Sequence, residues 1–175
     1  MGRTIFIYGL MAGVLTLMLL GVGMGVLDFD HGVAGMVWGF GAMIVGLSLM
    51  FMGVRRYGGY RGPLNFGQAF AVALGIALFA SLIYTAGWEA YLAATHYSFA
   101  DQFASQTVTG MIAEGASPAE LAKAEADMAA FKAHYANPLL RVPMTFMEIA
   151  PVGLVMALIA GLTLRTRRDD DRVAI

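Results

Sequence analysis

The 175-residue chain contains no cysteine and little charge, and both shortages narrow its possible functions. Without cysteine there can be no disulfide, no thiolate nucleophile and no zinc–thiolate site. Charged residues make up 13% of the chain and hydrophobic residues 59%, whereas an ordinary soluble domain carries roughly 25% charge. The formal net charge of −1 argues against a nucleic-acid partner, since a phosphate binder needs a basic face. We therefore expect one apolar domain whose main solvent is the lipid bilayer.

Recognisable catalytic and metal-binding motifs are also missing. The glycine-rich segment 21–25 is not a phosphate loop, because no strand precedes it and no lysine follows it. No Ser, His and Asp arrangement indicates a hydrolase. His31, His96 and His134 fall on one side of the expected topology, but no pair has a ligand spacing such as i, i+4, so scattered surface histidines are favoured over a metal site. The sequence thus favours a non-enzymatic protein with no metal and no cofactor.

Four apolar runs are each long enough to cross a hydrocarbon core of about 30 Å. The first run is too long for a signal-peptide core and lacks a clear small-residue cleavage site. Glycine and proline predict a turn at 57–65. The predicted fold is all-α and polytopic, with one four-helix membrane domain over residues 1–168 and a disordered tail over 169–175. The predicted spans are about 4–27, 32–54, 66–94 and 139–164.

A more polar insert, residues 98–135, separates the third and fourth spans. Its segment Ser117-Pro118-Ala119-Glu120 is a strong helix start, because Ser can cap, Pro fits the first turn and Glu can return the capping bond. Gly115 is well placed to end a preceding helix. The insert is therefore predicted to be an extracytoplasmic amphipathic helical hairpin, folded on itself or lying on the membrane surface.

Basic residues gather on one side of this topology. They are Arg3 before the first span, Arg55, Arg56 and Arg61 after the second, and Arg165, Arg167, Arg168 and Arg172 after the fourth. Cytoplasmic loops are enriched in Lys and Arg, so both termini are predicted to be cytoplasmic and the insert to face outward. The acidic turn at 28–31, which has neither Lys nor Arg, would also face outward.

Small residues form one continuous face of the second span. In lipid such a face is a helix contact surface, because small side chains let two backbones approach closely. Gly9 and Gly13 of the first span are its predicted partners, and packing within the chain is favoured over a homodimer seam or another membrane protein. The residues of this face are Gly35, Gly39, Ala42, Gly46 and Gly53.

Glu148 is a carboxylate near the middle of the fourth span. At about 1.5 Å per residue it lies some 15 Å beyond the helix start, about half of the hydrocarbon thickness. A charge at this depth costs about 2.5–3.5 kcal/mol on insertion scales, so the group must face the protein interior or water, or be protonated. The same depth count places Thr145, Ser81 and Tyr84 nearby, where their hydroxyls could bond to a protonated carboxyl. These four residues form the predicted intramembrane polar site, with a structural role for Glu148 favoured over a proton or ligand site.

Arg141 lies on the same face of the fourth span as Glu148. Its long side chain should snorkel toward the outer interface, about 10 Å from the carboxylate along the helix axis. The third span runs in the opposite direction, so Glu89 should emerge near the depth of Arg141. We therefore predict an interfacial ion pair between Glu89 and Arg141.

Several stretches of the chain carry a family resemblance. They are IFIYGLMAG, FMGVRRY, NFGQAF with SLIY downstream, the helix from 115 to 137 that ends in YANPL, and MTFMEIAPVGL. In this order the chain resembles the bacterial integral-membrane family catalogued as domain of unknown function 4199. The resemblance implies a four-helix, multi-pass protein of the bacterial inner membrane and assigns no activity. The acidic run 169–171 departs from the family's pattern.

Two functions remain open. The favoured one is a non-enzymatic accessory or scaffold subunit that holds a partner through its small-residue faces and outer insert. The alternative is a small transporter or proton-linked channel component centred on Glu148, which would need a water-accessible path. The sequence shows no inverted repeat, and Pro143 and Pro151 are the one sign of a broken helix, which slightly favours the first function. Substrate, partner and oligomeric state cannot be read from it.

Overall fold

A computed structural model of the chain describes residues 1–25 and 33–166. All regular structure in these residues is α-helical, and four candidate spans are long and apolar enough to cross a membrane, so the protein is an all-α polytopic membrane protein. The acidic turn 28–31 with His31, as well as Arg167, Arg168 and the tail, lies outside the described residues. The helices are α1 (Gly2–Gly25), α2 (Val33–Leu47), α3 (Leu49–Arg61), α4 (Phe66–Ala94), α5 (Phe99–Ala113), α6 (Pro118–Ala136) and α7 (Pro138–Leu164).

The first candidate span is α1, and the second consists of α2 and α3 together. The third is α4 and the fourth is α7. The second span runs to Arg61, so the turn predicted at 57–65 is wrong in its first half. Gly58 and Gly59 remain helical because Tyr57 packs against the core, while Arg56 lies over the ring of Tyr60 at 5.3 Å. The chain turns only at Gly62, whose φ of 89° suits glycine.

Side-chain caps fix several of the helix starts. At the start of α4 the Asn65 side-chain oxygen accepts a hydrogen bond from the backbone N–H of Gln68, and the Gln68 side-chain oxygen accepts one from the backbone N–H of Asn65. Ser117 and Glu120 form the same reciprocal box at α6, which confirms the predicted start. Gly115, at φ 79°, follows the end of α5. Each cap satisfies backbone donors that a helix cannot satisfy itself.

Helix α4 is the centre of the bundle and packs between α1 and α7. Its buried face is made mainly of small and branched residues, including Val72, Ala73, Ile76, Ala77 and Ala80. Helix α7 approaches it through small residues, and a Cβ added at Gly153 would lie 2.9 Å from the Cβ of Ala77. The close approach of backbones through small residues is the packing mode expected between helices in lipid.

The small-residue face of the second span packs partly as predicted and partly not. A Cβ at Gly46 would collide with Thr16 of α1, and one at Gly53 would lie 3.0 Å from Tyr8 of α1. Gly9 and Gly13, however, face α4 and not this stripe, so that part of the prediction is wrong. Helix α1 packs against α4 through the face that carries Gly9 and Gly13, and against the second span through a neighbouring face that carries Thr16. The spacing of the glycines does not distinguish these two faces.

The small-residue face is less closely packed in the N-terminal part of the second span. Ala42 is buried, but a Cβ at Gly39 would meet only Leu20, at 3.9 Å. Gly35 and Gly39 border a cavity instead of a helix contact. The small residues of the second span therefore serve two purposes. Gly46 and Gly53 allow close helix packing, and Gly35 and Gly39 leave open space.

Helices α5 and α6 pair in antiparallel fashion. The rings of Phe99 and Tyr135 lie 5.6 Å apart, and those of Phe103 and Phe131 lie 5.3 Å apart, so positions rise along one helix as they fall along the other. Lys132 and Asp101 form an exposed ion pair at 2.5 Å. We call the end of the bundle that carries α5 and α6 the hairpin end.

The opposite end carries arginines and is called the basic end. There the backbone N–H of Thr166 donates to the carbonyl of Leu64 at 2.8 Å, and the N–H of Leu64 donates to the Thr166 hydroxyl at 3.3 Å. These bonds join the α3–α4 loop to the chain just beyond α7. Arg61 and Arg165 consequently lie at the same end of the molecule.

Candidate functional site

A cavity of about 640 Å³ lies at the hairpin end of the bundle, lined by residues of α1, α2, α4 and α7 together with residues of α5 and α6. Its volume lies within the usual range for small-molecule sites, about 300–1,000 Å³. Aromatic side chains form much of its lining, with four methionines, two glutamines and one carboxylate. The aromatic residues are Trp38, Phe40, Tyr84, Trp88, Tyr91, Phe99, Phe103, Phe131 and Tyr135.

The second span is interrupted at Ser48, between α2 and α3, and the cavity lies beside its α2 half. Helix α3, which follows Ser48, packs against α4. Helix α2, which precedes Ser48, packs against α1 and α7 and scarcely against α4. The break lies at Ser48, whose hydroxyl donates to the carbonyl of Val45 at 2.6 Å. A serine that bonds back to its own helix often bends it. Sequence analysis did not identify this break.

Trp38 fixes the position of α2 on the far side of the cavity. Its indole N–H donates to the carbonyl of Leu19 in α1 at 2.9 Å. A Cβ at Gly23 would collide with the indole ring, so this glycine provides the space for Trp38. The α2 wall is thus held against α1 by one specific aromatic contact.

Glu148 extends from α7 into this cavity. Its side chain is accessible, and among the described residues its carboxylate makes no hydrogen bond and no ion pair. Met144, one turn earlier on α7, lines the same cavity. A carboxylate in this setting can accept hydrogen bonds from a ligand, hold a cation or carry a proton.

The three hydroxyls predicted around Glu148 lie in different environments. Tyr84 lines the cavity with Glu148, is 4% exposed, and has no hydrogen-bond partner among the described residues. Ser81 is buried and donates to the carbonyl of Ala77 on its own helix at 2.9 Å. Thr145, on α7, is buried and is not among the residues that line the cavity. The structure therefore brings Tyr84 and Glu148 into one site and leaves the other two hydroxyls outside it.

The structure brings Arg141 and Glu89 together as a bidentate pair. Arg141 Nε donates to Glu89 Oε1 at 2.8 Å, and Arg141 Nη2 donates to Oε2 at 2.6 Å. The remaining Nη1 donates to the backbone carbonyl of Tyr135 at 2.8 Å, and the guanidinium carbon lies 5.1 Å from the centre of the Tyr97 ring. One nearly buried arginine thus joins α4, α6, α7 and the α4–α5 connection, close to the cavity but not in its lining.

Trp88 and Tyr135 connect the hairpin to the bundle inside the cavity wall. The indole N–H of Trp88 donates to the Tyr135 hydroxyl at 2.6 Å, and the Trp88 ring meets Phe99 edge-on at 5.0 Å. Burial raises the pKa of Tyr135 to about 12, and the negative charge of Glu148 acts in the same direction. Tyr135 consequently keeps its proton at neutral pH and remains available as a hydrogen-bond donor to the cavity.

The hairpin aromatics were missed as site residues by sequence reasoning. Phe99 with Phe103, and Phe131 with Tyr135, each lie four residues apart and so share a helix face, which predicts hairpin packing. Nothing in that spacing says that the shared face lies above Glu148. Of the histidines, His96 and His134 are exposed, and no group of three or more potential metal ligands occurs in the described part of the chain.

Comparison with known proteins identifies one family. The family model described as "Protein of unknown function (DUF4199)" matches residues 6–166, which is nearly the whole chain. No curated protein and no solved structure matches the chain.

Proposed function

The chain belongs to the family described as protein of unknown function (DUF4199), and on that premise we propose that this membrane protein binds a small ligand in the cavity around Glu148. The role would be that of a small transporter or proton-linked channel component. One observation carries the proposal. A carboxylate that has no partner among the described residues lies in an aromatic cavity of about 640 Å³, at the level of the membrane-spanning helices.

An intramembrane carboxylate that only stabilised the fold would be expected to have a hydrogen-bonding partner. An unpaired polar group in such a place costs free energy, so it persists where it performs a function. Tyr84, which is buried and has no hydrogen-bond partner in the described structure, adds a second polar group to the same space. Together they provide an acceptor and a donor for one ligand.

The accessory or scaffold role is the second candidate and has less support. It relies on small-residue faces that could hold another membrane protein or a second copy of the chain. Gly46 and Gly53 already pack against α1 within the chain. The hairpin helices likewise turn their aromatic face toward the bundle, where Phe99 and Tyr135 join the cluster around Leu92.

The proposed location is the bacterial inner membrane, with both termini cytoplasmic and the cavity open toward the outer side. The arginines at the basic end support this orientation, because cytoplasmic loops are enriched in basic residues. Arg3, Arg61 and Arg165 flank spans at that end. The ligand would then enter from outside or from the outer leaflet.

Orientation is tested with single cysteines, which the cysteine-free chain allows without background. Ala119→Cys and Gly59→Cys both lie at exposed positions, the first in α6 and the second near the basic end. A membrane-impermeant thiol reagent added to intact cells with an accessible inner membrane should label position 119 and not 59. Labelling at 59 alone would reverse the proposed orientation.

Access to the cavity is tested with a matched pair on α7. Met144 and Met147 are both exposed methionines on one helix, but only Met144 lines the cavity. A charged methanethiosulfonate reagent should modify Met144→Cys, because water reaches the cavity, and should spare Met147→Cys, which lies on the helix surface outside it. If 119 is labelled while 144 and 147 react equally slowly, the cavity is closed to water and the proposal fails.

A further inference from the structure

The charge of the cavity lining has one sign. Glu148 is the one carboxylate there, and no Lys, Arg or His is present among the lining residues that the structure describes. The nearest strong cation, Arg141, already donates to Glu89 and to the Tyr135 carbonyl. Ionised Glu148 would repel an anionic ligand, and a neutral ligand would leave this charge without a counter-charge. Charge complementarity therefore selects a cation.

The aromatic walls favour the same charge. Rings present a negative face, and a cation over a Trp, Tyr or Phe face is attracted by about 0.5–2 kcal/mol depending on its hydration. Trp88 is central to this wall, because it stacks on Tyr91 at 5.2 Å and contacts Phe99 at 5.0 Å. Its bond to the Tyr135 hydroxyl fixes the ring in place. The recognition surface is thus held in position by contacts within the protein.

The lining is poor in the carboxylate and carbonyl oxygens that a bare metal ion prefers. Calcium takes six to eight oxygens and magnesium six in near-ideal geometry. Among its described lining residues the cavity offers one carboxylate and the amide carbonyls of Gln102 and Gln106. Its three phenol hydroxyls, on Tyr84, Tyr91 and Tyr135, are not the carboxylate, carbonyl or water oxygens that these ions bind. Its remaining surface is aromatic or methionine, and methionine adapts to ligands of irregular shape. Such a surface favours a large, weakly hydrated cation.

We propose that the ligand is a lipophilic organic cation, such as a quaternary or protonated amine or another onium ion of drug-like size. Its charge would lie at Glu148 and its apolar groups against the aromatic and methionine side chains. This inference rests on the proposed binding function and specifies the ligand class for the same cavity.

The test uses two probes of equal shape and opposite charge, tetraphenylphosphonium and tetraphenylborate, with the full-length protein in lipid nanodiscs. The chain has two tryptophans, Trp38 and Trp88, and both line the cavity, so tryptophan fluorescence reports on this site. Tetraphenylphosphonium should quench it in a saturable manner, and tetraphenylborate should not. Glu148→Gln should weaken the cation's apparent affinity by about tenfold or more.

Gln106 provides a second variant that does not depend on Glu148. It is exposed on α5, lines the cavity and makes no hydrogen bond in the described structure. Gln106→Glu should tighten tetraphenylphosphonium binding several-fold, and Gln106→Lys should weaken it. Quenching that is unaffected by charge at 148 and at 106 would overturn the proposal.

The outcomes distinguish an error in the charge of the ligand from an error in the proposed binding function. If Met144→Cys reacts with the aqueous reagent and tetraphenylborate binds better than tetraphenylphosphonium, the cavity is a binding site but its ligand is not a cation. If neither ion binds and Met144→Cys is inert, the proposed binding function itself is wrong. Saturable binding of the phosphonium ion that depends on Glu148 supports both.

Discussion

Arg141 and Glu89 are joined by two parallel hydrogen bonds, 2.8 and 2.6 Å long, between α7 and α4. The arginine side chain is 5% exposed and the glutamate side chain 25%. This geometry matches the planar fork of a guanidinium to a carboxylate, which lysine cannot reproduce. Because Arg141 also binds the Tyr135 carbonyl, the pair anchors the hairpin directly above the cavity.

Arg141→Met should lower the free energy of unfolding by about 1.5–3 kcal/mol, because it leaves Glu89 and the Tyr135 carbonyl without their charged donor. Arg55→Met is the control, since Arg55 is exposed and makes no ion pair in the described structure. Thermal melting in mild detergent measures both variants. Adding Glu89→Gln to Arg141→Met should cost less than the sum of the single changes. Equal melting temperatures for the variants at 141 and 55 would contradict this account.

Gly46→Ala should destabilise the protein by about 1–3 kcal/mol, because the added methyl group collides with Thr16 and lies 3.0 Å from the Ala12 carbonyl. Gly41→Ala, on the same helix, meets nothing within 4 Å and should be neutral or stabilising by up to about 1 kcal/mol. Melting of the two variants in one detergent compares them directly. A similar loss at both positions would mean that helix propensity and not packing decides the effect.

Glu148→Gln and Glu148→Ala should each change the free energy of unfolding by less than about 1 kcal/mol, because the carboxylate has no partner to lose in the part of the chain that the structure describes. Ile149→Ala, at the next position, removes a fully buried side chain and should cost about 2–5 kcal/mol. The same melting assay measures all three. A large loss for Ala but not for Gln would show that Glu148 makes a structural hydrogen bond, as expected from the sequence.

Glu120 predicts a small pH dependence of stability. Its hydrogen bonds with the Ser117 hydroxyl and backbone N–H lower the pKa of the carboxyl below its value in the unfolded chain, about 4.3. A lowered carboxyl pKa stabilises the fold above the unfolded value, and the contribution is lost as pH falls through the folded value. Wild type should therefore melt above Glu120→Gln at pH 7, and the difference should close in acid.

Glu125→Gln is the control for this pH dependence, because Glu125 is exposed on the same helix and has no capping bond. It should match wild type throughout the pH range. A difference between wild type and Glu120→Gln that persists in strong acid would show that the cap does not depend on ionisation.

Much of the fold followed from the sequence, because length, hydropathy and caps act locally. The run of apolar residues predicts a span at 66–94, the bounds that α4 has. The capping box at Ser117 defines a helix start without tertiary information. The direction that each glycine faces is not local, and for that reason Gly9 and Gly13 were assigned the wrong partner.

The site was less predictable than the fold. Counting residues along two antiparallel helices placed Glu89 beside Arg141 and Tyr84 near Glu148, since depth depends only on helix rise. Whether a hydroxyl at that depth faces a carboxylate depends on rotation about the axis, and Ser81 turns out to bond within α4. The cavity itself depends on how α2 packs beside α1 and α7 and on the hairpin folding over it, and neither follows from composition.

The α4–α7 pair is fastened at both ends, by Glu89 with Arg141 at one and by Leu64 with Thr166 at the other. Because these two sets of contacts lie far apart, they oppose both translation of α4 along α7 and separation of the two helices. The opposite side, α2, ends at Leu47, just before Ser48, and contacts α4 scarcely at all. The cavity thus has one wall, carrying Glu148, that is held at both ends, and one wall, carrying Trp38, that is held by α1 and α7 but hardly by α4. We expect ligands of different size to be accommodated by tilting of α2, while the carboxylate stays where it is.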